Sequence, residues 1–306
     1  MSTPKGSSVP APPITQALQC MEIIGGNREV QEAVTSPGMD LWVENRPIGG
    51  PAGGDIHYFS MCGSGRVTRL ALADVAGHGS EADQTAAWLR GLMRKHINLL
   101  DQRRLARAIN RAMVARHEDA NSLRFATVML LTYFAPTDHL LVCNAGHPPP
   151  LWYRQRTGRW HVLDQDMPDC GTPLREYRQV HYRGQSVANL PLGIIEQTGY
   201  VQFAVQLAPH DLLVLYTDGI IEARNREGHM LGLQGLLELA RSVPVTQDPR
   251  AVAKSLLEAV ARFRDNAPAE DDQTLIVGHH SAGDPPSLTV GHVLRILPKM
   301  LGIRGI

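Results

Sequence analysis

Five aspartates stand where carboxylates could do chemistry together. Asp55 follows Gly53-Gly54. Asp74 closes the apolar run Leu70–Ala73 and opens DVAGHG. Asp218 closes LLVLYT ahead of Gly219, and the pair Asp271-Asp272 precedes the last apolar run, TLIVG. Each borders a segment whose composition demands burial. A carboxylate there needs a compensating donor or charge, and several converging carboxylates repel one another unless a cation lies between them. Oxygen donors alone, with no obligatory Cys or His, suit hard divalent ions such as Mg2+ or Mn2+. The flanking glycines leave room for backbone carbonyls to approach. Read singly, each aspartate is as well explained as a turn, a helix cap or a solvated loop residue. Turns alone do not account for the set, because every member sits at the end of a potential strand.

The elements that must position these residues are readable from apolar periodicity. Period-two or continuous apolar runs predict strands over 39–43, 55–60, 67–75, 125–134, 139–145, 200–207, 211–217 and 274–279. Helical spacing predicts helices over 81–99 (Ala82, Ala86, Leu89 and Met93 on one side), 102–117, 233–242 and 249–264. A mixed pattern from Ala17 to Val34 suggests a short helix ended by Pro37-Gly38. Residues 135–138 join two strands into a hairpin, and Pro209-His210 reads as the turn of a second strand pair. Strands, a helix pair, more strands and more helices make a layered arrangement with antiparallel sheets.

Composition limits the function classes. The chain has 306 residues, 43% hydrophobic and 20% charged, enough for a substantial core. Lys+Arg and Asp+Glu both number 30; this balance argues against a generally basic nucleic-acid binder. No apolar run approaches the roughly 18 residues of a spanning helix. Cys20, Cys62, Cys143 and Cys170 form no C-x-x-C pair, so neither a disulfide framework nor a structural zinc site is expected. The N-terminal MSTPKGSSVPAPP lacks the apolar core of a secretory signal, and a cytoplasmic protein is expected.

In chain order stand GGDIHYFS (53–60), LALADVAGHG (70–79), FATVMLLTYF (125–134), LLVCNAGHPPPLW (140–152), LPLGI (190–194), LLVLYTDGIIEARN (212–225) and EDDQTLIVG (270–278). Each motif is weak alone; seven in this order are specific. The series resembles the bacterial SpoIIE-like branch of the metal-dependent (PPM-type) serine/threonine protein phosphatases over roughly residues 38–280. The resemblance implies an α+β fold, a four-layer α-β-β-α sandwich of two antiparallel sheets with two Mn2+ or Mg2+ ions at one end. It implies Asp55, Asp74, Asp218 and Asp271 as the catalytic, metal-holding acids, with Asp74 bridging both ions and Val75 offering its backbone carbonyl. Asp272 ranks lower, as a ligand or a support. Hydrolysis of phosphoserine or phosphothreonine by a metal-activated water is implied, with no Cys or Ser nucleophile.

His78 and His147 are candidates for protonating the leaving oxygen or for shaping turns. Arg46 is a positional candidate for holding phosphate. The implied partner is a phosphoprotein, an anti-sigma-factor antagonist in a partner-switching pathway. Two readings compete: a catalytically silent binding module of the same fold, and a phosphatase of small molecules. The expected organisation is a partly disordered N-terminal segment 1–37, a phosphatase domain 38–281 with an insertion at 151–190, and a basic-apolar tail 282–306. Residues 287–304 could pack back, dock on a partner or meet an anionic membrane surface. Oligomeric state is left open.

Overall fold

The computed structural model describes residues 15–18, 22–62, 65–77, 79–96, 99, 101–120, 124–165, 181–182, 185–186 and 188–283. The chain begins with β1 (Thr15–Ala17), β2 (Ile23–Arg28), β3 (Val30–Ser36), β4 (Met39–Arg46), β5 (Ala52–Cys62) and β6 (Val67–Val75). Helices α1 (Ser80–Lys95) and α2 (Gln102–Ala120) follow. Next come β7 (Ala126–Phe134), β8 (His139–Ala145), β9 (Leu151–Arg154), β10 (Arg159–Val162), β11 (His181–Tyr182), β12 (Gln185–Ser186), β13 (Gln202–Gln206) and β14 (Leu212–Tyr216). The short α3 (Asp218–Ile221), then α4 (Gly232–Ser242), α5 (Pro249–Phe263) and β15 (Gln273–His280) follow, the last among the described residues.

Two sheets result, in the orders β13-β8-β7-β6-β5-β2 and β1-β3-β4-β15-β14-β9-β10; β11 and β12 pair apart from both. Pairing is antiparallel except for the edge strand β1, which runs parallel to β3. Strand alternation stacks the layers. In β6, Leu70 and Leu72 point between the sheets and meet a core that includes Met129, Leu131, Leu213, Leu215 and Ile276. Ala71, Ala73 and Val75 point the other way, onto Ala82, Ala86 and Leu89 of α1 and Ile109 of α2. Across the second sheet, Trp42, Val214, Leu275 and Val277 pack under α4 and α5 through Leu236, Leu256 and Val260. The α5 start is set locally: Pro249 occupies the first turn, and the Asp248 side chain accepts the Arg250 N–H at 2.9 Å. The architecture is the expected four-layer α-β-β-α sandwich.

Three expectations need correction. The segment from Ala17 to Val34 is not a helix: it contributes β2 and β3, each paired along its length with β5 or β4. Gly25-Gly26 disfavour a helix, Val30, Val34 and Thr35 favour a strand, and Val34 is fully buried. The sandwich therefore draws in residues before 38, and the boundary drawn at 37/38 falls inside it. The strands near 200–207 and 211–217 are not a pair either. β13 lies on β8, whereas β14 lies between β15 and β9 in the opposite sheet. Asp211 staples the crossing: its carboxylate accepts from Ala208 N (2.9 Å), Gln155 N (2.8 Å) and Trp152 Nε1 (3.1 Å). Asp218, finally, opens α3 and does not end β14. Residues 1–14, residues 166–180, 183–184 and 187 of the 151–190 insertion, and the 287–304 tail lie outside the described residues.

Candidate metal centre

The sandwich brings the acids to one end. Asp55 of β5 and Asp74 of β6 are register partners, and Asp74 in turn faces Thr127 of β7. Asp55 and Asp74 share the inner face with Phe59 and with Leu70 and Leu72, because each is an even number of residues from them. From the opposite sheet, the end of β14 delivers Thr217 and Asp218, and the start of β15 delivers Asp271 to Thr274.

Asp55 is 1% exposed, and its Oδ2 accepts two hydroxyls at 2.7 Å each, from Thr217 Oγ1 and Thr274 Oγ1. Thr217 Oγ1 also accepts the Thr274 N–H at 2.9 Å. A carboxylate on one sheet is thus held by two strands of the other. Burial foremost, then the neighbouring Asp74, pushes the Asp55 carboxyl well above the ordinary range, against the pull of the two hydroxyls. Asp74 is pushed up to about 7 by burial and by the charges of Asp218, Asp271, Asp272 and Glu222. Asp218 is raised by burial, Glu222 and Asp271. These acids destabilise one another's charged forms, as carboxylates awaiting a cation do.

Asp272 works differently. Its Oδ1 accepts the Ile48 N–H at 2.6 Å and its Oδ2 the Gly54 N–H at 2.7 Å, so the carboxylate clamps the 47–54 loop. Glycine is required where the loop closes. A Cβ on Gly53 would lie 2.0 Å from Asp272 Oδ2, and one on Gly54 would lie 2.8 Å from the Val75 carbonyl oxygen. The Val75 carbonyl therefore stands uncovered beside Asp74, in a cradle that any side chain would fill.

The donors present are hard oxygens: the carboxylates of Asp55, Asp74, Asp218 and Asp271 and the Val75 carbonyl. Their type, their mutual repulsion and the glycine cradle fit hard divalent cations. Among the described residues, no three His, Cys, Asp or Glu side chains close on a single point; the acids line the end of the sandwich without forming a closed cage. Asn45, register partner of Thr274 and wholly buried, leaves both amide atoms unpartnered.

Two of the other candidates have partners of their own. His147 is 4% exposed; its Nδ1 meets Thr127 Oγ1 at 2.8 Å, and the Asn144 amide holds its N–H and carbonyl at 2.7 Å each. Burial pushes the ring down to about 3, which favours the neutral imidazole, and the Asn144 bonds tie it to the turn. Arg46 lies on the outer face of β4 with Trp42, not the inner face with Asn45. Its guanidinium pairs with Glu44 and lines a cleft against Arg250 and Lys254 of α5. His78 lies outside the described residues.

Four side chains at the site escaped sequence reasoning. Thr217 and Thr274 directly adjoin the flagged acids in YTDG and DDQT, and a hydroxyl beside a buried carboxylate was the available signal. Glu222, one helical turn after Asp218, adds negative charge to Asp74 and Asp218; its i, i+4 spacing was legible. Asn27 was not. Its Nδ2 donates to the Gly53 carbonyl at 3.0 Å and to Asp83 Oδ1 at 2.6 Å, tying the glycine loop to the first turn of α1.

Comparison with known proteins bears on the family and the fold. The profile of the "Stage II sporulation protein E (SpoIIE)" family matches residues 64–186 and 184–281. Phosphoserine phosphatase RsbU of Bacillus subtilis (strain 168) is 24% identical over 211 residues, 68% of this chain and 54% of its own. The chain thus spans about half the length of that relative. The RsbU and RsbW domains of Rv1364c from Mycobacterium tuberculosis superpose with a TM-score of 0.61 at 22% identity, covering 90% of this chain and 71% of that one. The catalytic domain of the serine/threonine phosphatase PstP, in complex with two manganese ions, superposes with a TM-score of 0.52 at 18% identity, covering 79% and 97%.

Proposed function

The chain belongs to the SpoIIE family, and on that premise we propose that it is a metal-dependent phosphatase of phosphoserine and phosphothreonine in proteins. The observation that carries this reading is the register pairing of Asp55 with Asp74, with Asp218 and Asp271 brought to them from the second sheet. Two Mn2+ or Mg2+ ions would be held by Asp55, Asp74, the Val75 carbonyl, Asp218 and Asp271. Bound there, such ions acidify water and neutralise charge on a phosphoryl group. The rest falls to the chain's own residues. Thr217 and Thr274 fix the Asp55 carboxylate from across the sandwich. Asp272 holds the 47–54 loop shut through two backbone amides. Neutral, buried His147 keeps the 144–147 turn in place beneath Thr127. Cys143 is no nucleophile in this reading: it is buried, and burial raises its thiol to about 12.

The substrate is proposed to be a phosphorylated anti-sigma-factor antagonist in a partner-switching pathway. Support comes from the family, from the relative named a phosphoserine phosphatase and from a structural neighbour that holds two manganese ions. A cytoplasmic location is part of the proposal; among the described residues no helix is long and apolar enough to cross a membrane.

The test is hydrolysis of a phosphoserine peptide and of p-nitrophenyl phosphate, with Mn2+ and with chelator, by wild type and Asp74→Asn. Activity that requires Mn2+ and disappears in the variant is expected. Activity that survives chelation would overturn the metal mechanism. Metal binding by calorimetry without hydrolysis would favour the silent module, and hydrolysis restricted to small phosphates would favour the small-molecule reading.

A further inference from the structure

The outer face of the helix pair carries charge that the acid site does not use. From Gln84 to Arg116 the chain holds eight Lys and Arg against one carboxylate, Asp101. The whole chain is balanced at 30 of each sign, so the remainder holds 22 Lys and Arg against 29 Asp and Glu. The signs are segregated, whereas a face kept only for solubility mixes them. Six of the eight cations are exposed: Arg90, Arg94 and Lys95 of α1 and Arg104, Arg107 and Arg111 of α2. Helical spacing accounts for this. Ala86, Leu89 and Met93 of α1 and Leu105, Ile109 and Met113 of α2 turn to the sheet, which leaves the arginines the outer side.

The chain answers few of these cations. Asp101 lies 2.8 Å from Arg103 and 3.9 Å from Arg104, and Glu196 lies 3.6 Å from Arg111 with both side chains open to solvent. Among the described residues no carboxylate pairs with Arg94, Lys95 or Arg107. Like charges three and four residues apart work against the helix that carries them. The Arg116 guanidinium covers the Trp88 ring at 4.5 Å, which sets the two helices side by side. The patch also stands apart from the acids. Asn27 ties Asp83, in the first turn of α1, to the Gly53 carbonyl, so that end of the helix adjoins the acid site. Arg90 and Lys95 lie about 15–22 Å along the axis from Ser80 at the rise of a helix.

We propose that this face of α1 and α2 docks an acidic protein surface, a second binding site apart from the acid end of the sandwich. Seven of the eight cations are arginine, whose planar fork takes a carboxylate through two parallel hydrogen bonds. A second copy of this chain is the wrong occupant, since a two-fold contact would set arginines against arginines. A nucleic-acid duplex or a bilayer extends past the patch and meets the acidic remainder of the chain, which repels it. Among the described residues neither helix exposes a large apolar side chain that could enter a bilayer. A folded acidic surface of the patch's own size meets neither obstacle.

The test uses the full chain and does not depend on phosphatase activity. Binding of a labelled helical peptide with glutamates along one face is followed by fluorescence anisotropy. A short DNA duplex and vesicles of equal parts phosphatidylserine and phosphatidylcholine are run in parallel. Saturable binding of the peptide is expected, weakened at least about tenfold in the triple variant Arg104→Gln, Arg107→Gln, Arg111→Gln. The triple variant Arg156→Gln, Arg159→Gln, Arg241→Gln removes the same charge from exposed positions elsewhere and should bind as wild type does. No binding, equal loss in both triple variants, or tighter binding of the duplex or the vesicles overturns the proposal. Should the α2 variant fail to fold, a photo-cross-linker on the peptide decides in wild type: attachment within α1 or α2 supports the site, and attachment elsewhere overturns it.

Discussion

Asp74 is the residue on which charge and chemistry meet. Its carboxyl, raised to about 7 in the fold, holds a proton more tightly folded than unfolded. Its stabilising contribution is therefore complete below the unfolded value near pH 4 and is lost as pH climbs through 7. In metal-free protein this amounts to a loss on the order of 3 kcal/mol between pH 4 and 8. Asp74→Asn is expected to flatten that decline in urea unfolding with chelator at pH 5 and 8, while reducing Mn2+-dependent hydrolysis at least about 100-fold. Stability and activity thus move in opposite directions, which a purely structural aspartate would not show. The threonines make a different case. Thr217→Val or Thr274→Val removes one hydroxyl from Asp55 Oδ2, and each is expected to lower stability by about 1–2 kcal/mol. The double variant should deviate from additivity, because both donors serve one oxygen; a double-mutant cycle in urea measures the coupling.

At the scale of elements, the 47–54 loop connects sheet to site. Asp272, from the approach to β15, grips it at Ile48 and Gly54, while Asn27 of β2 holds Gly53 to α1. Gly53→Ala would thrust a Cβ to 2.0 Å from the Asp272 carboxylate. Hydrolysis by Gly53→Ala is expected to fall at least about tenfold, reflecting lost positioning of Asp55. Gly50→Ala, whose Cβ would make only a 3.8 Å contact with the Ala52 carbonyl, is the control and should retain wild-type rates. Equal loss in both would show that loop flexibility, not the clamp, matters. Most elements were legible from periodicity: β6 and β8 coincide with the expected 67–75 and 139–145, and α4 and α5 differ from expectation by a residue. The failures share a cause. Residues 17–34 and the pair 200–207 and 211–217 owe their conformation to partners distant in sequence, namely β5 and β4 for the first and β8, β15 and β9 for the second.

For the whole molecule, the α-β-β-α stack explains why acids spread from residue 55 to residue 271 form one site. Each sheet contributes strand ends to the same edge, and the inter-sheet core holds those ends in register. Because β2 and β3 pair with β5 and β4, deleting residues 1–37 strips the outer strands from both sheets and exposes β4 and β5 as new edges. That truncation is expected to lose cooperative unfolding or to aggregate, as judged by circular dichroism melts and size-exclusion chromatography. A soluble, cooperatively folding fragment with unchanged activity would show that the N-terminal strands are dispensable. The sequence alone determined the acids, the oxygen-only donor chemistry, the family resemblance and the alternating apolar runs, since these depend on residue type and local spacing. Tertiary structure decided which polar groups answer which. Thr217 and Thr274 reach Asp55 across the sandwich, Asp272 accepts the Ile48 and Gly54 amides, and Arg46 is turned to the outer face of β4. Those assignments depend on pairing between strands far apart in the chain, and no local pattern encodes the distance between residues 55, 217 and 274.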